Sequence, residues 1–145
     1  MILDIGVNIG ATLVRHMSIY PDAHLNAFGP HPEAYPFLTR ILTAFERGHT
    51  HNVGLGKLDS ELTLFEGFER YSQRSIHKGS ETRDKGVEIK VLRASTMLLE
   101  NKIKHSDILK IDPEGFELNV IKVLELKYFS SLETLLPVIE KNNLM

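Results

Sequence analysis

Cysteine is absent from the 145 residues. That rules out a disulfide framework, a thiol nucleophile and a cysteine-rich zinc site, and it fits a reducing compartment. A block of lysine and arginine is missing too, since 17 basic against 19 acidic residues leave a formal net charge of −2. A chain without a basic patch is not expected to bind nucleic acid or an anionic membrane surface. The apolar runs are far shorter than the roughly 20 residues that span a bilayer, and no signal-peptide pattern opens the chain. Repeats, linkers and low-complexity segments are not found either. What remains is a hydrophobic content of 42% and a charged content of 25%, the balance of a globular chain with a real core. A soluble cytoplasmic protein is expected, built as a single domain over residues 1–145.

The most informative stretch is Met1 to Gly10. Ile2, Leu3 and Ile5 form a short apolar run of the kind found in buried parallel strands, and Gly6 and Gly10 punctuate the segment after it. Leu13, Val14 and Met17 then recur at helical spacing. Strand, glycine turn and helix form the first unit of a doubly wound α/β domain. Gly6 lets the backbone turn and approach a ligand, and Gly10 lets the helix pack on the strand. The glycines are spaced D-x-G-x-x-x-G, with an acid ahead of the first. A carboxylate at Asp4 would repel a pyrophosphate, but it suits a cationic ligand such as the amino and sulfonium groups of S-adenosylmethionine. An ordinary strand-to-helix turn is the alternative. Another nucleotide-binding α/β domain is disfavoured by Asp4 and by the lack of a G-x-G-x-x-G or P-loop.

The rest of the chain alternates in the same way. Residues 24–29 read as a second strand and Pro32 to Phe45 as a second helix, with Leu38, Ile41, Leu42 and Phe45 on one face. Gly48 reads as its stop, and His51 to Gly56 as a third strand. Residues 61–66 and 87–92 alternate apolar with polar, as a pair of half-exposed strands beside the main sheet. Residues 69–86 between them read as a mobile polar loop. Ala94 to Asn101 is a short helix and Asp107 to Asp112 a second buried strand. A long helix follows, with Phe116, Val120, Ile121 and Leu124 inward, and Leu135 to Glu140 makes a final strand. Such alternation predicts a mostly parallel sheet with helices on both faces. In the usual order 3-2-1-4-5, the strands ending at Asp4 and at Asp112 meet at the switch point where ligands bind.

Three stretches resemble the FkbM family of S-adenosylmethionine-dependent methyltransferases. Asp4 to Gly10 (DIGVNIG) is similar to its D-I-G-A-N-I-G turn. Ala27 to Tyr35 resembles its A-F-E-P-x-P-E stretch, and Asp107 to Glu117 its D-L-L-K-I-D-V-E-G-x-E. The resemblance implies a Rossmann-like class I methyltransferase fold, a mostly parallel doubly wound sheet, with S-adenosylmethionine as the methyl donor. It also implies O-methylation of a hydroxyl on a small metabolite or glycan. On this basis Asp4, Gly6, Asn8 and Gly10 line the methionine end of the cofactor. Gly29, Pro30 and His31 sit near its ribose and adenine, although His31 reads equally well as a surface loop residue. Gly54 and Leu55 flank the adenine, where core packing explains Leu55 as well.

Lys110, Asp112 and Glu114 form the best polar constellation, with Asp112 also placed at the cofactor. Residues two apart on a strand share a face, so Lys110 and Asp112 point the same way and can pair. Asp112 and Glu114 are candidates to bind the acceptor or take its proton. The alternative is that Glu114 and Glu117 favour the N-terminus of the next helix. His49 and His51 present two imidazoles on one face, but no third ligand is in view, so no metal site is expected.

The departures from the family pattern are specific. Gly29 stands where the family has an acid for the ribose hydroxyls. Two charge-assisted hydrogen bonds of ~1.5–3 kcal/mol are lost there unless Glu33 or a water substitutes. Pro113 replaces a Val, Val123 a Gly and Leu98 an Asp. The last two strands of the family sheet have no sequence to make them, so a truncated or divergent member, incomplete at its C-terminus, is expected. Its exposed sheet edge would invite a homodimer. The second functional expectation is a catalytically impaired relic that keeps the fold as a binding or interaction module.

Overall fold

The computed structural model describes residues 1–67, 74–75, 82–113, 116–124 and 135–137. Strand β1 (Ile2–Ile5) is buried at all four positions, so it lies at the centre of a sheet with both faces covered. After the turn comes α1 (Ala11–Ile19), then β2 (Leu25–Phe28), α2 (Tyr35–Phe45) and β3 (Gly48–His51). Three strands and a short segment follow: β4 (Gly54–Gly56), β5 (Ser60–Gly67), β6 (Arg74–Ser75) and β7 (Thr82–Arg93). The chain continues with α3 (Ala94–Glu100), β8 (Ile108–Ile111), α4 (Glu117–Ile121) and β9 (Leu135–Pro137).

The main sheet runs β3-β2-β1-β8-β9, and every pairing in it is parallel. This is the order 3-2-1-4-5, with β1 and β8 side by side. The apolar residues of β1 divide between its two faces, as period-2 alternation requires. Ile2 joins Leu13 and Met17 of α1, Leu25 and Ala27 of β2, and Leu38 and Leu42 of α2. Leu3 and Ile5 join Phe28, Ala94 and Leu98 of α3, Leu109 and Ile111, and Val120 of α4. Only the i, i+4 pair of each long helix is fully buried. Val14 is 48% exposed and Phe45, the last residue of α2, 53% exposed, so neither belongs to the inner face assigned from spacing.

A second sheet runs β4-β7-β5-β6. β5 and β7 pair antiparallel, as their alternation predicts, with Leu64, Ile89 and Val91 buried and Glu61, Thr63, Glu88 and Lys90 exposed. β7 begins at Thr82 and β6 pairs with β5, so ladder occupies part of the stretch that reads as loop. Residues 68–73 and 76–81 lie outside the described residues.

The third strand of the main sheet is Gly48–His51, not the stretch from His51 to Gly56, whose Gly54–Gly56 part joins the second sheet beside β7. GHTH lacks the apolar alternation that marks a strand, because it is an edge that buries little and pairs only with β2. Gly48 is not the helix stop. Glu46 ends α2 in the left-handed region at φ 53, its N–H donating to the carbonyl of Thr43. α2 starts at Tyr35 rather than at Pro32 or Glu33, since the chain first turns around His31. The Nδ1 of His31 accepts the N–H of Glu33, and its carbonyl accepts the N–H of Tyr35. α4 is short within the described residues. The segments 125–134 and 138–145, onto which the expected long helix and the end of the last strand run, lie outside them. No described helix is long and apolar enough to cross a membrane.

Candidate active site

The C-terminal tips of β1 and β8 converge as parallel neighbours, with Asp4 in register with Lys110 and Ile5 with Ile111. The N–H of Asp112 donates to the carbonyl of Ile5 at 2.8 Å, carrying the contact one residue past the strand. Gly6 then turns the chain at φ +87. A Cβ there would stand 2.1 Å from the carbonyl oxygen of Asp112, so only glycine lets the two segments close. The carbonyl of Phe28 accepts the N–H groups of both Gly6 and Val7, at 2.9 and 3.0 Å, which ties the turn to the end of β2 as well.

Beside this junction opens a cleft of about 670 Å³, counted out to its solvent mouth. Its floor is Gly6, Val7 and Asn8 of the turn. Phe28, Pro30 and His31 enter from the end of β2, with Gly54 and Leu55 beside them on β4. Asp112, Pro113 and Phe116 close the β8 side, and Leu62, Leu64, Ile89 and Val91 of the second sheet form the opposite wall. The cleft is thus mainly apolar, with its polar groups gathered around Asn8 and Asp112.

Of the residues singled out from sequence, Gly6, Asn8, Pro30, His31, Gly54, Leu55 and Asp112 line the cleft, while Asp4, Gly10, Gly29 and Lys110 do not. His31 is 3% exposed, which removes the surface-loop alternative. Gly10, at φ +93, packs on α2, where a Cβ would press on Ile41 and Leu38. Gly29 is forced by proximity: a Cβ there would stand 2.4 Å from the carbonyl oxygen of Val7. Glu33, the sequence substitute for the missing acid, is exposed and does not line the cleft. Glu114 lies outside the described residues.

Asp4 is wholly buried, and its Oδ1 accepts a hydrogen bond from the Lys110 ammonium at 3.0 Å. Its Oδ2 is buried without a partner. Lys110 also donates to the carbonyl of Gly6 at 3.2 Å and lies 3.6 Å from Oδ2 of the half-exposed Asp112, which is the pairing that strand periodicity predicts. Burial pushes the Asp112 carboxyl above the usual aspartate range. Lys110 pulls it back, and Glu117 and Asp4 add to the rise. His16 on α1 is held below the ordinary histidine range by burial, with Asp4 opposing.

At the far edge of the main sheet, the His51 ring stacks on Phe28 at 4.3 Å, and His49 meets His24 edge-on at 5.3 Å. Among the described residues no three potential metal-ligating side chains come together.

Sequence reasoning misses the apolar wall as part of the site, although its two strands are legible. Their inward alternation is the available signal. The burial of Asp4 is also legible, in an otherwise apolar central strand. A small all-parallel sheet with this order, with a glycine turn after its central strand and a cleft at the switch point, defines a Rossmann-like fold. The same fold is seen in the crystal structure of methyltransferase FkbM from Methylobacillus flagellatus KT, which matches with a TM-score of 0.52 and 18% identity. That match covers 83% of this chain and 28% of the other.

The model of the methyltransferase FkbM domain matches residues 4–145, and the chain belongs to that family. It is also similar to methyltransferase sdnD from Sordaria araneosa, 29% identical over 152 residues. That alignment takes in 83% of this chain and 59% of the relative, so the chain spans less than two thirds of either protein's length.

The residues around the cleft fit S-adenosylmethionine in its main requirements. Phe28, Pro30 and Leu55 offer apolar surface for a base, and Asp112 is an acid in the same lining. An acid for the ribose hydroxyls is missing from the described lining.

Proposed function

We propose that this chain is an S-adenosylmethionine-dependent methyltransferase that methylates a hydroxyl on a small metabolite or glycan. The observation that carries the reading is the junction of the Gly6 turn with Asp112, open to a cleft on the side where the two strand tips meet.

When bound, S-adenosylmethionine supplies an already activated methyl group, so the protein's task is mainly placement. Gly6 lets the turn close on the Asp112 segment and so sets the floor of the cleft, and the apolar wall from the second sheet limits access of water. Asp112 lines the cleft, and its carboxylate is the group there that can accept the proton an acceptor hydroxyl releases. Its raised affinity for a proton favours that role.

Titration calorimetry of the intact chain with S-adenosylmethionine is the first test, and absence of binding would reject the proposal. Methyl transfer from labelled cofactor to a panel of hydroxylated acceptors comes next, with Asp112→Asn expected to lose ~10²-fold or more in rate. One observation favours a second reading, a binding module of the same fold. Gly29 occupies the place of the ribose acid, and its contact with Val7 leaves no room for one. Measurable cofactor binding without turnover on any acceptor would support that reading.

A further inference from the structure

Lys110 makes three contacts that belong to three different segments of the fold. Its ammonium lies 3.0 Å from Asp4 on β1, 3.2 Å from the Gly6 carbonyl in the turn and 3.6 Å from Asp112 beyond β8. The side chain is 16% exposed and Asp4 fully buried. Neither of the two lines the cleft, and Asp112 does. Two carboxylates against one ammonium leave one negative charge uncompensated, and the member of the trio that meets the cleft is Asp112.

We propose that Lys110 is a positioning residue. Its ammonium cross-braces β1, the glycine turn and Asp112, and it holds Asp112 as the ionised group that the cleft presents to a cationic ligand. This rests on the reading that the ligand is a sulfonium methyl donor.

The division of labour follows from the distances. Asp4 takes the short contact and anchors the ammonium inside the sheet. Asp112, which lines the cleft, receives the longer one, which favours its charged form. Among the described residues, the other charged groups acting on Asp112 are Asp4 from β1 and Glu117 from α4, and both oppose its ionisation, as burial does. With Lys110 gone, each of these remaining influences pushes Asp112 toward its neutral form.

Lys110→Met alone strands Asp4 as an unpaired buried carboxylate, so the test uses Asp4→Asn with Lys110→Met, which removes both charges at nearly constant shape. The first readout is a ¹³C NMR titration of the Asp112 carboxyl, identified by its disappearance in Asp112→Asn. Its midpoint is expected to rise by about one pH unit or more in the double variant. The second is the affinity ratio at pH 7 between S-adenosylmethionine and S-adenosylhomocysteine, which lacks the sulfonium charge. That ratio is expected to fall about tenfold in Asp112→Asn, which removes the charge that the cleft presents.

An unmoved Asp112 midpoint overturns the proposal, as does an unchanged ratio in Asp112→Asn. If the intact chain binds neither compound, the methyl-donor reading fails by itself, and the Asp112 midpoint still decides the role of Lys110.

Discussion

A Cβ at position 6 would stand 2.1 Å from the carbonyl oxygen of Asp112, so the glycine turn and the segment beyond β8 meet with no room for a side chain between them. Gly6 is also at φ +87, where an L residue is strained. Both causes act together in Gly6→Ala, which is expected to cost about 2–4 kcal/mol of stability. Urea denaturation measures it, and a loss below about 1 kcal/mol would mean that the junction opens easily.

Gly29 makes a similar prediction with a different cause. Its Cβ would meet the Val7 carbonyl oxygen at 2.4 Å and Val7 Cγ1 at 2.9 Å. Gly29→Ala and Gly29→Glu are therefore expected to lose comparable stability, about 1–3 kcal/mol, because the clash is at the atom they share. Restoring the family's acid at this position is not expected to tighten cofactor binding. Calorimetry on Gly29→Glu checks this, and a gain in affinity would show that the segment can move aside.

Gly54 separates binding from folding. A Cβ there would lie 3.2 Å from Val91 Cγ2 and 3.6 Å from Pro30, contacts that a small side-chain shift relieves. Gly54→Ala should change stability by less than about 1 kcal/mol. Its methyl group enters the cleft, so affinity for S-adenosylmethionine should drop while the unfolding midpoint hardly moves. Equal affinity in the two proteins would place the ligand elsewhere.

His51 sets a pH dependence. Burial first, and then the neighbouring His49, lower its pKa from 6.5 to about 4. The unfolded chain therefore binds a proton that the folded chain refuses, and stability present above pH 6.5 is lost as the pH falls toward 4. His16 and His24, also lowered by burial, add in the same direction. Because His51 is partly solvated, about 1–2 kcal/mol is a fair discounted size for its share. Denaturation at pH 7 and pH 4.5 should show the loss, and a His51→Leu variant should show less of it. A variant equally sensitive to acid would assign the effect to other groups.

Given the usual order of such a sheet, which brings the two acidic strand tips together, the residues by themselves determined the alternation of strands and helices, the glycine turn and the antiparallel pair at 61–66 and 87–92. Those features rest on periodicity and on glycine's backbone freedom, which act over a few residues and leave a readable mark. Strand GHTH left none, because a half-buried edge needs no apolar pattern. Only the tertiary structure decided that Asp4 is occupied by Lys110, 106 positions away, and so does not itself face the cleft. It also decided that Gly29 is dictated by a carbonyl of the neighbouring turn, and that the second sheet walls the cleft. Each of these depends on register and close approach between segments distant in the chain, which residue type alone does not encode.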